Sequence, residues 1–230
     1  MGLEIYYKLS ASNKLDSASV RELAQRTAVY AKKIGCVAAS DVTPADGNVK
    51  RAPLFVSVGK VEETGIFGHI PPKRGWLIEV DPGEGSETAT FGLCQYPRRA
   101  PFRDGTVPTG YRGGWLLKGS CKTQYAAEHG WEHFLACHKR IISVLDFWRE
   151  LGVKVEVTDE GGYWETRSET KLRSALLSYD KLIAFLAGAM KDAIDHSGQP
   201  FRVESPIFAR RDFERLEAAG LKGVARRREK

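Results

Sequence analysis

Between Trp131 and Leu151 the apolar residues recur at helical spacing. Trp131, Phe134, Leu135, His138, Ile141, Ile142, Leu145 and Trp148 form one stripe, and a stripe of that width buries a whole helix face. Gly152 stops the pattern. Val153, Val155 and Val157 then alternate with Lys154 and Glu156, the period of a half-buried strand. A long amphipathic helix over about 130–151 that runs directly into a strand needs a sheet to lie on. This pairing anchors the reading of everything else.

The rest of the chain supplies that sheet. Leu3–Leu9 reads as a strand. Ser19 and Glu22 have capping-box spacing, in which each side chain satisfies an orphan amide. The helix they open carries Val20, Leu23, Thr27, Tyr30, Ala31 and Ile34 and ends at Gly35. Further strands are expected at Cys36–Val42, Leu54–Val58, Trp76–Asp81, Ala89–Tyr96 and Trp115–Lys122, with Pro82–Ser86 as a hairpin turn. Thr166 with Glu169 opens a third helix, whose buried face is read as Leu172, Leu176, Tyr179, Ile183, Leu186 and Met190. Beyond His196 the pattern weakens. Ser205-Pro206 and Gly220 mark the start and stop of a short basic helix, and Ala225–Lys230 is expected to be disordered.

Most strand connections are too short for crossover helices, so the class is α+β: a mostly antiparallel twisted sheet with three main helices. Two ferredoxin-like halves packed together are one arrangement of it. The domain reading is a single compact α+β domain over 1–196 and a basic C-terminal extension over 197–230.

The net charge of +6 is uneven. Pro97–Gly114 carries four arginines (Arg98, Arg99, Arg103, Arg112) against Asp104. Arg202–Lys230 carries nine basic and five acidic residues. A basic loop and tail of this kind attract nucleic acid or other polyanions, and the loop interleaves Tyr96, Phe102 and Tyr111 with its arginines, a mix that grips phosphate and stacks bases. The same charge also serves a solvated surface. The longest apolar run, Leu182–Met190, is too short to span a bilayer, so no membrane partner is expected. Four cysteines without a CxxC pair, and no basic leader, read as free thiols in a cytoplasmic protein.

Several residues carry candidate chemistry. His129, His133 and Cys137 fall at i, i+4 and i+8, which stacks three metal-ligand types on one helix face. His129-Gly130-Trp131-Glu132-His133 resembles the inverted zincin pattern H-x-x-E-H over these five residues. The resemblance implies zinc and a distal glutamate, for which Glu204 and Glu214 are at workable separations. No cofactor is otherwise expected. His138 lies inside the apolar stripe, either as a satisfied core histidine or as a base at the floor of a cleft. Cys121 ends a strand, and its use as a nucleophile needs a nearby base. Lys122, Gln124 and Tyr125, at a strand end that leads into a helix, suit a polar or anionic ligand. Asp159–Glu165 gathers three carboxylates beside Tyr163 and Trp164, which suits a sugar or base, or an acid/base pair through Glu160.

These elements place a cleft between the central sheet and helix 129–151. Lys122, Gln124, Tyr125 and His138 would line one side, and Glu160, Tyr163, Trp164 and Glu165 the other. The function expected is binding of a small polar or anionic ligand there, with nucleic-acid association through Arg98, Arg99, Arg103, Arg112 and the tail. The alternatives are a small hydrolase, using His138 with a carboxylate or a metal at His129/His133, and a structural subunit acting through protein partners. No phosphate-binding loop, dinucleotide fingerprint or serine-hydrolase elbow occurs, and nothing in the sequence specifies an oligomeric state.

Overall fold

The computed structural model describes residues 3–45, 55–57, 67–69, 71–102, 105–109, 111–197, 206–209 and 211–228. Arg103, Glu204 and the expected cap Ser205 lie outside them. The chain forms two compact units: Glu4–Glu160, and Gly161–Lys230 with Met1–Leu3. The boundary drawn from periodicity and charge, 196/197, falls inside the second unit.

The first unit runs β1 (Glu4–Ala11), α1 (Ser17–Lys33), β2 (Ala38–Ala39), β3 (Thr43–Pro44), β4 (Phe55–Ser57), β5 (Phe67–His69), β6 (Arg74–Asp81), β7 (Ala89–Gln95), β8 (Arg99–Phe102), β9 (Gly105–Pro108), β10 (Trp115–Lys122), α2 (Trp131–Glu150) and β11 (Lys154–Asp159). The main sheet has the order β11-β1-β10-β7-β6-β2, with β3 also on β6, and its pairings are antiparallel. β4–β5 and β8–β9 are separate two-stranded ribbons.

The α+β class is the one expected. The ferredoxin-like arrangement occurs once, not as two packed halves. β1-α1-β7-β10-α2-β11 is a βαββαβ unit in which β11-β1-β10-β7 gives the spatial order 4-1-3-2, and β6 widens it. A second half does not form because the described part of the chain beyond Gly161 is helical.

Period-two alternation fixes which face of the sheet is covered. Ile5, Tyr7 and Leu9 are buried on β1 and lie opposite Cys121, Gly119 and Leu117 of β10. α1 buries Val20, Ala24, Thr27 and Ala31 and packs on β6 and β7, while α2 packs on β11. Tyr30 of α1 stacks on Phe147 of α2 with centroids 4.2 Å apart. Each fully buried large apolar side chain contributes about 1.5–3 kcal/mol. Tyr7 reaches across β10 because Gly119 has no side chain: a Cβ there would lie 2.6 Å from the Tyr7 ring. The Tyr7 hydroxyl donates to the Thr90 carbonyl at 2.8 Å, and its ring stacks on Phe91.

The helix starts differ from expectation. The side chain of Asp16, not Ser19, caps α1 by accepting from the Ser19 amide at 2.7 Å, so the helix begins one turn earlier. The second unit contains α3 (Tyr163–Thr166), α4 (Glu169–Ser197), a 3-10 turn at Pro206–Ala209, and α5 (Phe213–Arg228). Thr166 belongs to α3, and Ser168 caps α4, its Oγ accepting from the Lys171 amide at 3.2 Å. Ala184 and Ala187 of α4 join Ile207 and Leu216 in a small core, while Met190, expected on the buried face, is 57% exposed. Gly220 is not a helix stop. A Cβ there would lie 2.3 Å from the Lys181 carbonyl oxygen, so the glycine is where α5 crosses close to α4. The helix continues to Arg228, through residues 225–228 that were expected to be disordered.

Candidate functional site

Thr123 and His138 meet where β10 ends and α2 packs, and Asp159 is the last residue of β11. Thr123 Oγ1 lies 2.9 Å from His138 Nδ1, and Asp159 Oδ2 lies 3.3 Å from His138 Nε2. With the carboxylate ionised, the consistent arrangement has Nε2–H donating to Asp159 and the Thr123 hydroxyl donating to Nδ1. Thr123 and His138 are fully buried, as is the Asp159 side chain. The imidazole is therefore engaged at both nitrogens and closed to solvent, and it ties the helix to two strands. Glu160, the carboxylate paired with His138 on sequence grounds, is exposed and accepts from the Glu4 amide at 3.1 Å.

The neighbouring residues are also committed. The Lys122 ammonium lies 3.5 Å from Glu87 Oε1, and the Lys122 amide donates to Glu87 Oε2. Gln124 is buried and Tyr125 exposed, both in a 3-10 turn over Gln124–His129. The Cys121 thiol donates to the Glu87 carbonyl at 3.1 Å, and burial, reinforced by Glu87, pushes its pKa far above the usual thiol range, which disarms it as a nucleophile. Tyr163, Trp164 and Glu165 belong to the helical unit, where the Arg167 guanidinium lies 4.7 Å over the Trp164 ring.

The α2 face carrying His133, Cys137 and Arg140 is taken up by the β6–β7 turn. The Arg140 guanidinium donates to the Pro82 carbonyl at 2.6 Å, and His133 Nε2 donates to the Glu84 carbonyl at 2.9 Å. Gly83, at φ +147, comes so close that a Cβ would lie 2.6 Å from Cys137 Sγ. His129 Nε2 lies 3.9 Å from Glu84 Oε1. Among the described residues no three histidine, cysteine or acidic side chains are grouped as metal ligands. His133 and Cys137 thus share a face of α2 that the turn occupies, while His129 lies before the helix, in the 3-10 turn that ends at Gly130.

The described open cavity is at the other end of the sheet. β10 spans eight residues, so roughly 27 Å of strand separates the two ends. The cavity measures about 480 Å³, within the range of small-molecule sites. Its cations are Lys73, just before β6, and Arg98 and Arg99, just after β7; its described lining contains no carboxylate. Asn13 and Gln95 bring side-chain amides, and Gly113-Gly114 lead into β10. The strands position these groups: the Lys73 amide donates to the Gln95 carbonyl at 2.7 Å, and buried Thr109 holds the loop by donating through Oγ1 to the Pro97 carbonyl and through its amide to that of Arg98. Arg99 is fixed on the β8–β9 ribbon through Thr106. The side chains of Lys73 and Arg98 make no hydrogen bond or ion pair among the described residues. Arg112 is exposed beside the lining residues Tyr111 and Gly113.

Behind the cavity the Tyr96 and Tyr111 rings meet edge to face at 5.8 Å. Among the described residues neither hydroxyl has a hydrogen-bond partner at close geometry, and the Cys94 thiol lies beside Tyr96. Burial, then Cys94, pushes the Tyr96 phenol far up, and burial pushes the Cys94 thiol to about 12.

Sequence reasoning reached Arg98, Arg99 and His138 but missed Lys73, Asn13 and Thr123, and it grouped Asp159 with the turn. For Thr123 and Asp159 a signal existed: each lies two residues beyond a core-facing strand position, Cys121 and Val157.

No protein-family model matches the chain, and no curated protein or solved structure matches it either. Among the described residues no helix is long and apolar enough to cross a membrane.

Proposed function

We propose that this chain is a binding protein for a small anionic ligand, held in the cavity lined by Lys73, Arg98 and Arg99. The observation that carries the reading is the charge of that cavity: two cations with no partner among the described residues, a third fixed nearby, and no acid in the described lining. Such a site concentrates anions and gives them charge-assisted hydrogen bonds. The reading moves the ligand from the helix–sheet cleft to the arginine loop, because His138 is sealed and Lys122 is paired with Glu87. It assigns no reaction, since the buried imidazole of His138 has no exposed atom to present to a substrate.

Calorimetric titration with phosphate, sulfate, citrate and benzoate at low salt tests it. At least one anion is expected to bind, and Arg98→Ala and Lys73→Ala should each weaken that binding about tenfold. Absence of binding by every anion, or binding indifferent to both substitutions, rules the site out.

Exposed Arg112 beside the cavity favours a second reading, in which the same loop holds a nucleic-acid backbone. That version requires steep salt dependence. No association with single- or double-stranded oligonucleotides at low salt removes it.

A further inference from the structure

We infer that the ligand of the Lys73–Arg98–Arg99 cavity is an organic phosphomonoester. The inference rests on the anion-binding reading above and narrows it. Charge comes first. Lys73 and Arg98 both lack a partner among the described residues, so a dianionic head balances them, whereas a carboxylate leaves one cation unmatched. Geometry agrees. Arg99 spends Nε and Nη2 on Thr106, but the Arg98 fork makes no hydrogen bond among the described residues, and a guanidinium fork matches phosphoryl oxygens two at a time.

Room for the head is provided by Gly113. At φ +98 it stands in the left-handed region, and a Cβ placed on it would meet only Arg98 Nη2, at 3.8 Å. The space in front of that guanidinium is therefore the side chain this glycine lacks. Any other residue there would be strained and would begin to fill it.

Size leaves room for an organic body. A cavity of about 480 Å³ is larger than a bare oxyanion fills. Away from the cations its wall is Pro97 with the tyrosines, and its neutral polar groups are Asn13 and Gln95. Arg74 Nε donates to Gln95 Oε1 at 2.8 Å, which fixes that amide and leaves its NH2 as a donor. An apolar wall flanked by two amides suits a ring or a short hydroxylated chain attached to the phosphate.

Titrating the intact protein with phenyl phosphate, benzoate and inorganic phosphate at pH 7.5 separates these statements. Phenyl phosphate should bind at least about tenfold more tightly than benzoate, which has the same ring and half the charge, and more tightly than inorganic phosphate. Its affinity should fall as pH drops through about 6, where the monoester loses its second charge. Arg98→Lys keeps the charge but loses the fork, and should erase most of the preference over benzoate. Equal binding of benzoate and phenyl phosphate overturns the phosphate assignment and leaves the anion-binding reading standing. Inorganic phosphate binding as tightly as phenyl phosphate overturns the organic body. Binding of none of the three, with citrate and sulfate also silent, overturns both readings.

Discussion

Replacing His138 tests whether the sealed imidazole is a structural tie. His138→Leu preserves volume and apolar packing near Phe134, whose ring centre is 5.7 Å away, but it removes both ring nitrogens. The fully buried Thr123 hydroxyl loses its acceptor, and the Asp159 carboxylate loses the donor that faces it at 3.3 Å. An orphaned buried hydroxyl costs about 1–3 kcal/mol, and losing one hydrogen bond to a charged carboxylate costs about 1.5–3 kcal/mol. A loss of roughly 3–5 kcal/mol is expected, against a typical total stability of about 5–15 kcal/mol. In urea, with a slope of about 1–3 kcal/mol per molar, the midpoint should fall by on the order of 2 M. Asp159→Leu alone should cost about 1–3 kcal/mol, since it removes the acceptor of the buried His138 Nε2–H. The double variant places two leucines where the hydrogen-bonded partners stood, and should recover about 1–3 kcal/mol relative to the sum of the singles. Unfolding followed by tryptophan fluorescence at pH 7.5 reads all three, because Trp131 and Trp148 lie on the same helix. Costs that add to within about 0.5 kcal/mol, or a His138→Leu cost below about 1 kcal/mol, would refute the coupling.

Two further outcomes are expected. Gly220→Ala forces a methyl against the Lys181 carbonyl oxygen and Phe185 Cβ, 2.3 and 2.7 Å from its position; it should destabilise the helical unit by about 1–3 kcal/mol despite raising helix propensity, and a gain in its thermal midpoint contradicts the close crossing. The four cysteines are buried, and burial pushes Cys36 to about 11 and Cys94 to about 12, so both are protonated at pH 8 and a disulfide reagent should label the native protein slowly but all four thiols in guanidinium; fast native labelling of one thiol shows that its surroundings open.

Much of the fold could be read because the apolar periods were long. The α2 stripe, the valine alternation of β11 and the Ile5–Tyr7–Leu9 face of β1 each repeat often enough to exclude the other period. Thr123 and Asp159 were equally determined, since alternation puts each on the core face, yet a polar residue at a strand end also suits a turn. Lys73 could not be found that way. It reaches the cavity only because its amide pairs with Gln95, twenty-two positions on, and nothing local encodes that neighbour. Gly220 shows a different limit: a glycine at a helix end and one at a helix crossing look alike until the partner helix is in place. Asp16 and Ser19 competed for the same cap, and the earlier residue won because the helix gains a turn.

The arginine loop leaves the sheet after β7 and returns at β10, and its β8–β9 ribbon is a sheet of its own. Those two strands are immediate neighbours, so the loop can lengthen, shorten or exchange its charges without changing strand order or the covered face. The charges of the loop and the order of the strands are therefore written in separate parts of the sequence. The charge of this end of the sheet can thus be rewritten largely within Pro97–Gly114, while the buried threonine, histidine and aspartate at the far end stay under a packing constraint of their own.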